Sequence, residues 1–332
     1  MKEVLVFKSL YVLLLYLLIT KEKNKLFITT SNIDKTILYN LKNKIVIEEP
    51  IWKRNYFYNK LLLFFWLKKI KKNIDIIKLK QNFNIKFYGQ DNVFIGNIFL
   101  RENFQLIEEG IINYNYFFYG NNMSKLKQFM WLYIYKLKPT MGSSHEVKKI
   151  YLTGLAPIPE EIKNKVEIIN LKELWNNKTK EEKNEILDIF GFDEDIINKI
   201  KNKKNILFTQ PLSEDRFISE EEKIKLYKKI ISNYPEKDLV IKKHPREKTN
   251  YKKYFPEIEI LNQSFPAELF DLLDIKFETA ITIFSTAALN FSKNSKIDFY
   301  GTKVHPNLLK RWGDSEKIMK TNKFLNGEPI NE

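Results

Sequence analysis

Short apolar runs closed by polar or turn-forming clusters recur along this chain, and stretches of helical period lie between them. In the first half EVLVF (3–7), KLFITT (25–30), KIVIEEP (44–50), NIKFYG (84–89) and FIGNIFL (94–100) carry the strand signal. In the second half KKIYLTGL (148–155), NILFTQPL (205–212), DLVIKKHP (238–245), EIEIL (257–261) and TAITIFSTAALNF (279–291) repeat it. Strands that alternate with helical stretches predict parallel, doubly wound sheets. The loop Lys138-Pro139-Thr140-Met141-Gly142-Ser143-Ser144 near mid-chain marks a seam at 140–155. The expected architecture is α/β, two Rossmann-like domains spanning 1–147 and 148–332.

Three stretches need separate reading. LYVLLLYLLI (10–19) is apolar throughout but shorter than the roughly 20 residues a spanning helix needs. Thr20-Lys21-Glu22-Lys23 offers no small-residue cleavage site, so the run reads as a buried helix following the strand MKEVLVF rather than a signal peptide. Residues 51–80 hold nine Lys/Arg against the single acid Asp75, with Trp52, Tyr56, Phe57, Tyr58, Phe64, Phe65 and Trp66 interleaved. Such a basic, aromatic helix fits an anionic membrane surface; a core helix with solvated lysines at its ends has the same composition. Residues 112–137 are aromatic and read as helical from Ser124. Further on, Ser219 with Glu222 three residues later forms a capping-box signature before the Lys/Glu helix 219–233.

Composition narrows the class. A chain of 332 residues with 44% hydrophobic and 14% aromatic content buries a sizeable core and does not stay disordered. The absence of cysteine excludes disulfide scaffolds, Cys-ligated zinc and thiol nucleophiles, and fits a reducing compartment. His145, His244 and His305 lie too far apart in sequence to suggest a histidine metal cluster. The net charge of +15 draws the protein to anionic partners, although much of the excess is Lys beside Asn and Ile, a compositional bias. No nucleic-acid reader motif accompanies it, so a nucleic-acid partner is not expected.

Candidate chemistry gathers where strands end, because ligands of open α/β sheets bind at the carboxyl ends of the strands. Lys242-Lys243-His244-Pro245-Arg246 offers cations and an imidazole to a phosphate, and Pro245 fixes the chain direction. Ile283-Phe284-Ser285-Thr286 turns from strand into helix, so two hydroxyls cap free N–H groups or meet an anion. One βαβ step is expected between these two turns, on neighbouring strands. Thr209-Gln210-Pro211-Leu212-Ser213-Glu214-Asp215 brings carboxylates after another strand. Glu108-Glu109-Gly110 pairs two acids with a glycine that permits close approach, and partial burial beside a like charge raises a carboxylate pKa toward that of a general base. Glu268, opening a helix after Pro266, suits a ribose diol or a helix start. Asp193-Glu194-Asp195 matches a D-x-D metal pattern without a supporting strand. No P-loop, dinucleotide fingerprint, nucleophile elbow or HExxH is present.

KKIYLTGLAPIP (148–159), ILFTQPLSED (206–215), KKHPRE (242–247) and TIFSTAALNF (282–291), in this order, resemble the bacterial lipooligosaccharide sialyltransferases of glycosyltransferase family 52, over roughly 85–300. FQLIEEGIINY (104–114) is similar to the acidic-acidic-Gly motif of several bacterial sialyltransferases. The resemblance implies a GT-B fold with its site in the interdomain cleft: an acceptor-side domain (1–147) and a CMP-sugar domain (148–332). It implies inverting, metal-independent transfer of sialic acid from CMP-sialic acid to a terminal galactose of lipooligosaccharide, α-2,3 in linkage. It further implies a cytoplasmic enzyme, peripheral on the inner face of the inner membrane, and similar members can be dimers. Carried over, His244 faces the CMP phosphate, supported by Arg246, Ser285 and Thr286, and Glu268 binds ribose. Glu108, Gly110, Gly154, Thr209, Gln210 and Pro245 line the substrate. The base is Asp215 or Glu109, with Asp215 slightly favoured because its loop adjoins the phosphate rim. Arg216 departs from the pattern, since a smaller residue there would match the acidic-acidic-Gly motif more closely.

Overall fold

The computed structural model describes residues 2–51, 56–101, 103–114, 137–289 and 295–315. The chain divides into two compact units, Met1–Glu182 and Lys183–Glu332.

The first unit is built on a seven-stranded sheet in the order β3-β2-β1-β4-β5-β6-β7. Its strands are β1 (Glu3–Val6), β2 (Lys25–Thr30), β3 (Lys44–Ile47), β4 (Lys86–Gly89), β5 (Phe104–Ile107), β6 (Val147–Leu152) and β7 (Val166–Ile168). All neighbouring pairs are parallel. Val4, Leu5 and Val6 are fully buried, as a central strand covered on both faces requires. The helix Leu10–Ile19 covers one face, with Val12 to Leu18 all buried. Its uniform apolarity therefore reflects burial on every side. On the helix Tyr56–Lys71, Leu63, Trp66, Leu67 and Ile70 repeat at helical spacing and join the sheet's core. Trp66 donates its indole N–H to the Glu48 carbonyl at 2.7 Å, the partner a buried indole needs.

The second unit carries a five-stranded sheet in the order β10-β9-β8-β11-β12. Its strands are β8 (Asn205–Phe208), β9 (Leu239–Lys242), β10 (Glu259–Leu261), β11 (Thr279–Thr282) and β12 (Lys296–Phe299), all parallel. Both sheets reverse strand order once, between β1 and β4 in the first and between β8 and β11 in the second. The helix Glu220–Ile231 opens with Ser219 and Glu222 forming the expected reciprocal cap, and it buries Ile224, Leu226, Tyr227, Ile230 and Ile231.

Several expectations are corrected. Strand 147–152, read as opening the second domain, pairs with β5 and extends the first sheet, and the division falls between Glu182 and Lys183 rather than at 147/148. The loop 138–144, expected to mark a seam between domains, belongs to the connection between β5 and β6 of one sheet. Residues 94–100, read as a strand, form the helix Phe94–Ile98; a short apolar run has no period of its own, and the true strand follows at Phe104–Ile107. The long helix expected over 51–80 is two helices, broken where Asn73 accepts hydrogen bonds from Asp75 and Ile76 N–H and caps the helix Ile74–Gln81. Trp52 and residues 115–136, including Ser124, lie outside the described residues.

Candidate functional site

In the second unit the loops that leave β8, β9, β10 and β11 share the carboxyl rim of one parallel sheet. His244 and Ser285 thus lie on the same rim, as expected. They are not on neighbouring strands, however, because β8 stands between β9 and β11, and two strand spacings separate them by on the order of 10 Å. The loop after β8 bridges the two turns. Thr209 faces one side: its hydroxyl bonds the Glu247 carboxylate and accepts His244 N–H at 3.4 Å. Gln210 faces the other: its side-chain oxygen accepts Phe284 N–H at 3.0 Å across the reversal point. Both are buried, so they frame the rim rather than project from it.

The His-Pro turn is anchored from below. The fully buried Glu247 accepts His244 N–H at 2.9 Å and the Tyr251 hydroxyl at 2.5 Å. Burial pushes the Glu247 carboxyl up, and these donors with the charge of Lys223 oppose that rise. Lys223, with no exposed surface, sits 2.9 Å from Glu214, 3.1 Å from Glu220 and 3.7 Å from Glu247, and donates to Thr249 Oγ1 at 2.5 Å. Burial also raises Glu214, but the Lys248 N–H and Lys223 outweigh it and hold its carboxyl at about 2. One buried ammonium thereby ties the loops after β8 and β9 to the start of a helix.

His244 itself is half-buried. Burial, then the charges of Arg246 and Lys242, lower its pKa to about 4, so the imidazole is neutral near pH 7. Its Nδ1 accepts Arg246 N–H at 3.1 Å, which assigns the ring proton to Nε2. The turn therefore presents a neutral N–H donor of fixed tautomer. Pro245 is exposed beside it. Arg246 reaches across to Asp215 in a bidentate pair, 2.6 and 3.0 Å. Both Asp215 oxygens are engaged by that guanidinium. Ser285 Oγ accepts Ala287 N–H at 3.3 Å and so caps the helix Thr286–Leu289; the Thr286 side chain lies outside what is described. Glu268, half-buried, is the first residue of the helix Glu268–Leu272 after β10.

In the first unit Glu108, Glu109, Gly110 and Gly154 come together at the carboxyl ends of β5 and β6. Glu108 was expected beside substrate but is wholly buried. It accepts from Tyr11 (3.0 Å), Tyr114 (2.6 Å), Thr153 N–H (2.6 Å) and the Thr153 hydroxyl (2.8 Å). Tyr114 in turn accepts Gly154 N–H at 2.8 Å, so Glu108 locks the two strand ends together. Glu109 is half-buried, and its carboxylate accepts from Asn92 Nδ2 at 2.5 Å. Gly110 has φ 121°, and among the described residues nothing lies within 4 Å of where its Cβ would stand. Arg216, at φ 60°, also takes a positive φ after the pair Glu214-Asp215. Each acidic pair is thus followed by a residue of positive φ, glycine in one case and a side-chain-bearing arginine in the other, although the two φ values differ.

Sequence reasoning did not single out Asn92, Gln90, Glu247 or Lys223. Gln90 accepts Lys8 N–H at 2.9 Å at the reversal point of the first sheet, the same device as Gln210 in the second. Gly89 allows it, because a Cβ there would stand 2.0 Å from the Val6 carbonyl oxygen. Asp91 is buried and accepts Met141 and Gly142 N–H at 2.8 and 2.7 Å; burial, opposed by those donors, raises its carboxyl to about 7. The legible signal for Gln90 and Asn92 was their place in the loop leaving β4; Lys223 sits within the helix Glu220–Ile231 and Glu247 five residues past β9, where nothing in the sequence marked them. Asp193-Glu194-Asp195 resolves as helix chemistry, with Asp193 capping Ile196 N–H at 3.0 Å and Asp195 paired with Lys199.

Two doubly wound units whose rims carry a neutral imidazole donor on one and a half-buried carboxylate on the other define a GT-B-like α/β protein. The sequence comparison is narrower: residues 23–308 match the model of glycosyltransferase family 52, and the chain belongs to that family. It is a glycosyltransferase. An uncharacterized protein of Haemophilus influenzae is 44% identical over 259 residues, 78% of this chain and 79% of its relative. Among solved structures, the α/β-galactoside α-2,3-sialyltransferase of Photobacterium phosphoreum has a TM-score of 0.54 at 16% identity, covering 98% of this chain and 95% of that one. The 2,6-sialyltransferase of Photobacterium sp. JT-ISH-224, in complex with CMP and lactose, scores 0.60 at 12% identity, covering 98% and 76%. The UDP-GlcNAc 2-epimerase of Methanocaldococcus jannaschii scores 0.51 at 13% identity, covering 94% and 93%. At these identities the likeness shows the fold, which transferases and epimerases share.

Proposed function

We propose that the protein transfers sialic acid from CMP-sialic acid to a terminal galactose of lipooligosaccharide, with inversion and without a metal. The observation that carries this reading is His244: a neutral imidazole on a strand-end rim, its proton assigned to Nε2 by the Arg246 N–H, beside a guanidinium. As the anomeric C–O bond breaks, negative charge builds on the departing phosphate. Fixed donors aimed at that charge stabilise the transition state without reorganising. His244 Nε2–H and Arg246 supply such donors, Ser285 adds a hydroxyl on the same rim, and Glu268 is assigned to the ribose. The solved relative bound to CMP and lactose supports a CMP donor and a galactose-bearing acceptor.

The acceptor hydroxyl must lose a proton, and we assign that step to Glu109. Its carboxylate accepts from a neutral amide and is followed by an uncrowded glycine, whereas Asp215 is clamped by Arg246. Incubation with CMP-sialic acid and a panel of galactosides, reading CMP release and product linkage, tests the whole proposal; no CMP release with any galactoside would sink it. Glu109→Gln is expected to lower kcat by about 10²–10⁴-fold while Asp215→Asn costs far less. The reverse order makes Asp215 the base. Activity retained after exhaustive chelation is the expected result for metal independence. A transferase with another nucleotide-sugar donor is separated by thermal shift, since CMP, and not UDP or GDP, is expected to raise the melting temperature.

A further inference from the structure

In the second unit the loops after β8 and β9 enclose a cavity of about 670 Å³. Arg216, Lys248, Lys253, Asn250 and Tyr254 line it. The first four are exposed, and among the described residues none of the three cations is paired with a carboxylate. Lys253 Nζ lies 5.7 Å from the centre of the half-buried Tyr254 ring. Glu214 and Glu220 also reach the cavity, but their oxygens are engaged from within. Lys223 Nζ stands 2.9 and 3.1 Å from them, Glu214 accepts Lys248 N–H at 2.6 Å, and Glu220 accepts the Thr249 hydroxyl at 2.7 Å. Glu247, 3.7 Å from Lys223, is wholly buried and is not part of the lining. The cavity therefore offers three cations whose charge has no local counterpart. Arg216 adds a second observation. It holds φ 60°, a conformation that a residue with a Cβ rarely adopts and that glycine takes freely, and its N–H is tied to the Ser213 carbonyl at 2.9 Å. An arginine kept at a position suited to glycine points to a task for its side chain.

We propose that this cavity binds a phosphate monoester carried on a sugar, at a site separate from the CMP rim. His244, Pro245, Arg246, Gln210 and Ser285 are not part of its lining, and Asp215, between two residues that are, pairs with Arg246 instead. A phosphate monoester carries nearly two negative charges at neutral pH and three acceptor oxygens, which suits a guanidinium fork flanked by two ammonium groups better than the single charge of a carboxylate does. The volume lies in the range of small-molecule sites and leaves room beyond the phosphate. There the Tyr254 ring offers a wall for the apolar face of a sugar, and the Asn250 amide offers both a donor and an acceptor to its hydroxyls. The site needs neither the donor nor the acceptor assigned above.

Full-length protein is titrated calorimetrically with glucose 6-phosphate and mannose 6-phosphate, and separately with lactose, sialyllactose and inorganic phosphate. At least one sugar phosphate is expected to bind about tenfold or more tightly than each of the other three, with an affinity that falls as salt is added. Saturating CMP should leave that affinity unchanged. Arg216→Gly should weaken sugar-phosphate binding by about tenfold or more while the melting temperature without ligand stays level or rises, since glycine relieves the positive φ. Lys248→Ala combined with Lys253→Ala should weaken binding in the same direction. Failure of both sugar phosphates to bind would overturn the proposal, as would wild-type affinity in the Arg216 variant. Inorganic phosphate binding as tightly as a sugar phosphate would remove the saccharide, and tighter binding of sialyllactose would remove the phosphate. Competition by CMP would move the ligand to the donor rim, and a lower melting temperature in Arg216→Gly would make that arginine a brace of the fold; either result refutes the site.

Discussion

His244 is held near 4 while an imidazole in the unfolded chain titrates near 6.5. Between those values the unfolded chain binds a proton that the folded chain does not, so stability rises with pH across that window. The contribution is fully present above about 6.5 and is lost as pH falls through about 4. Asp91 has the opposite sign. Its folded pKa of about 7 lies above the ordinary 3.8, so its contribution is present at low pH and is lost as pH rises through 7. Melting temperatures measured from pH 4 to 7 should therefore rise less steeply in His244→Asn than in wild type, and more steeply in Asp91→Asn. Slopes unchanged in both variants would remove the burial argument for both groups. An incoming phosphate reverses part of the depression at His244 by adding a negative charge. Calorimetry of CMP binding near pH 5.5 should show a heat that depends on the buffer's ionisation enthalpy, reporting proton uptake, and His244→Asn should abolish the dependence.

Among the elements, the loops after β8 and β9 hold their shape through Lys223. With three carboxylates within 4 Å and no solvent contact, its removal leaves buried charge uncompensated. Lys223→Met should cost about 3–5 kcal/mol in denaturant unfolding. The exposed Lys163–Glu160 pair gives the contrast, since Lys163→Met should change stability by less than about 1 kcal/mol. A similar small effect at both positions would show that the buried network does not brace the rim. The helix Glu220–Ile231 and its cap could be read from Ser219 and Glu222 alone, because a capping box is local chemistry. The helix Phe94–Ile98 could not. Its five residues are too few to show a period, and its conformation follows from contacts distant in the chain, such as Asn97 Nδ2 donating to the Lys138 carbonyl at 2.9 Å.

For the whole molecule, two compact units, each with its own core, predict unfolding in more than one step. On the proposed assignment of CMP to the rim of Lys183–Glu332, CMP should raise one calorimetric transition and leave the other in place. Saturation at 100 times the dissociation constant is worth about 2.7 kcal/mol. A shift of the first unit's transition instead would move the nucleotide to the other sheet.

The parallel α/β character, the buried character of residues 10–19 and the strand-end positions of His244, Glu109, Asp215 and Ser285 followed from sequence, because period, capping and turn chemistry are local; the short strands Val166–Ile168 and Lys296–Phe299 did not. Membership of β6 in the first sheet did not, since strand pairing depends on partners far along the chain. Nor did the roles within each motif. Glu108 and Glu109 are chemically alike and adjacent, and only packing buries one among four donors and leaves the other half-buried with a single amide donor, Asn92. Asp215 reads as a free carboxylate until Arg246, thirty-one residues later, is found against it. Chemistry that depends on what faces a side chain, rather than on the side chain itself, is decided by the tertiary structure.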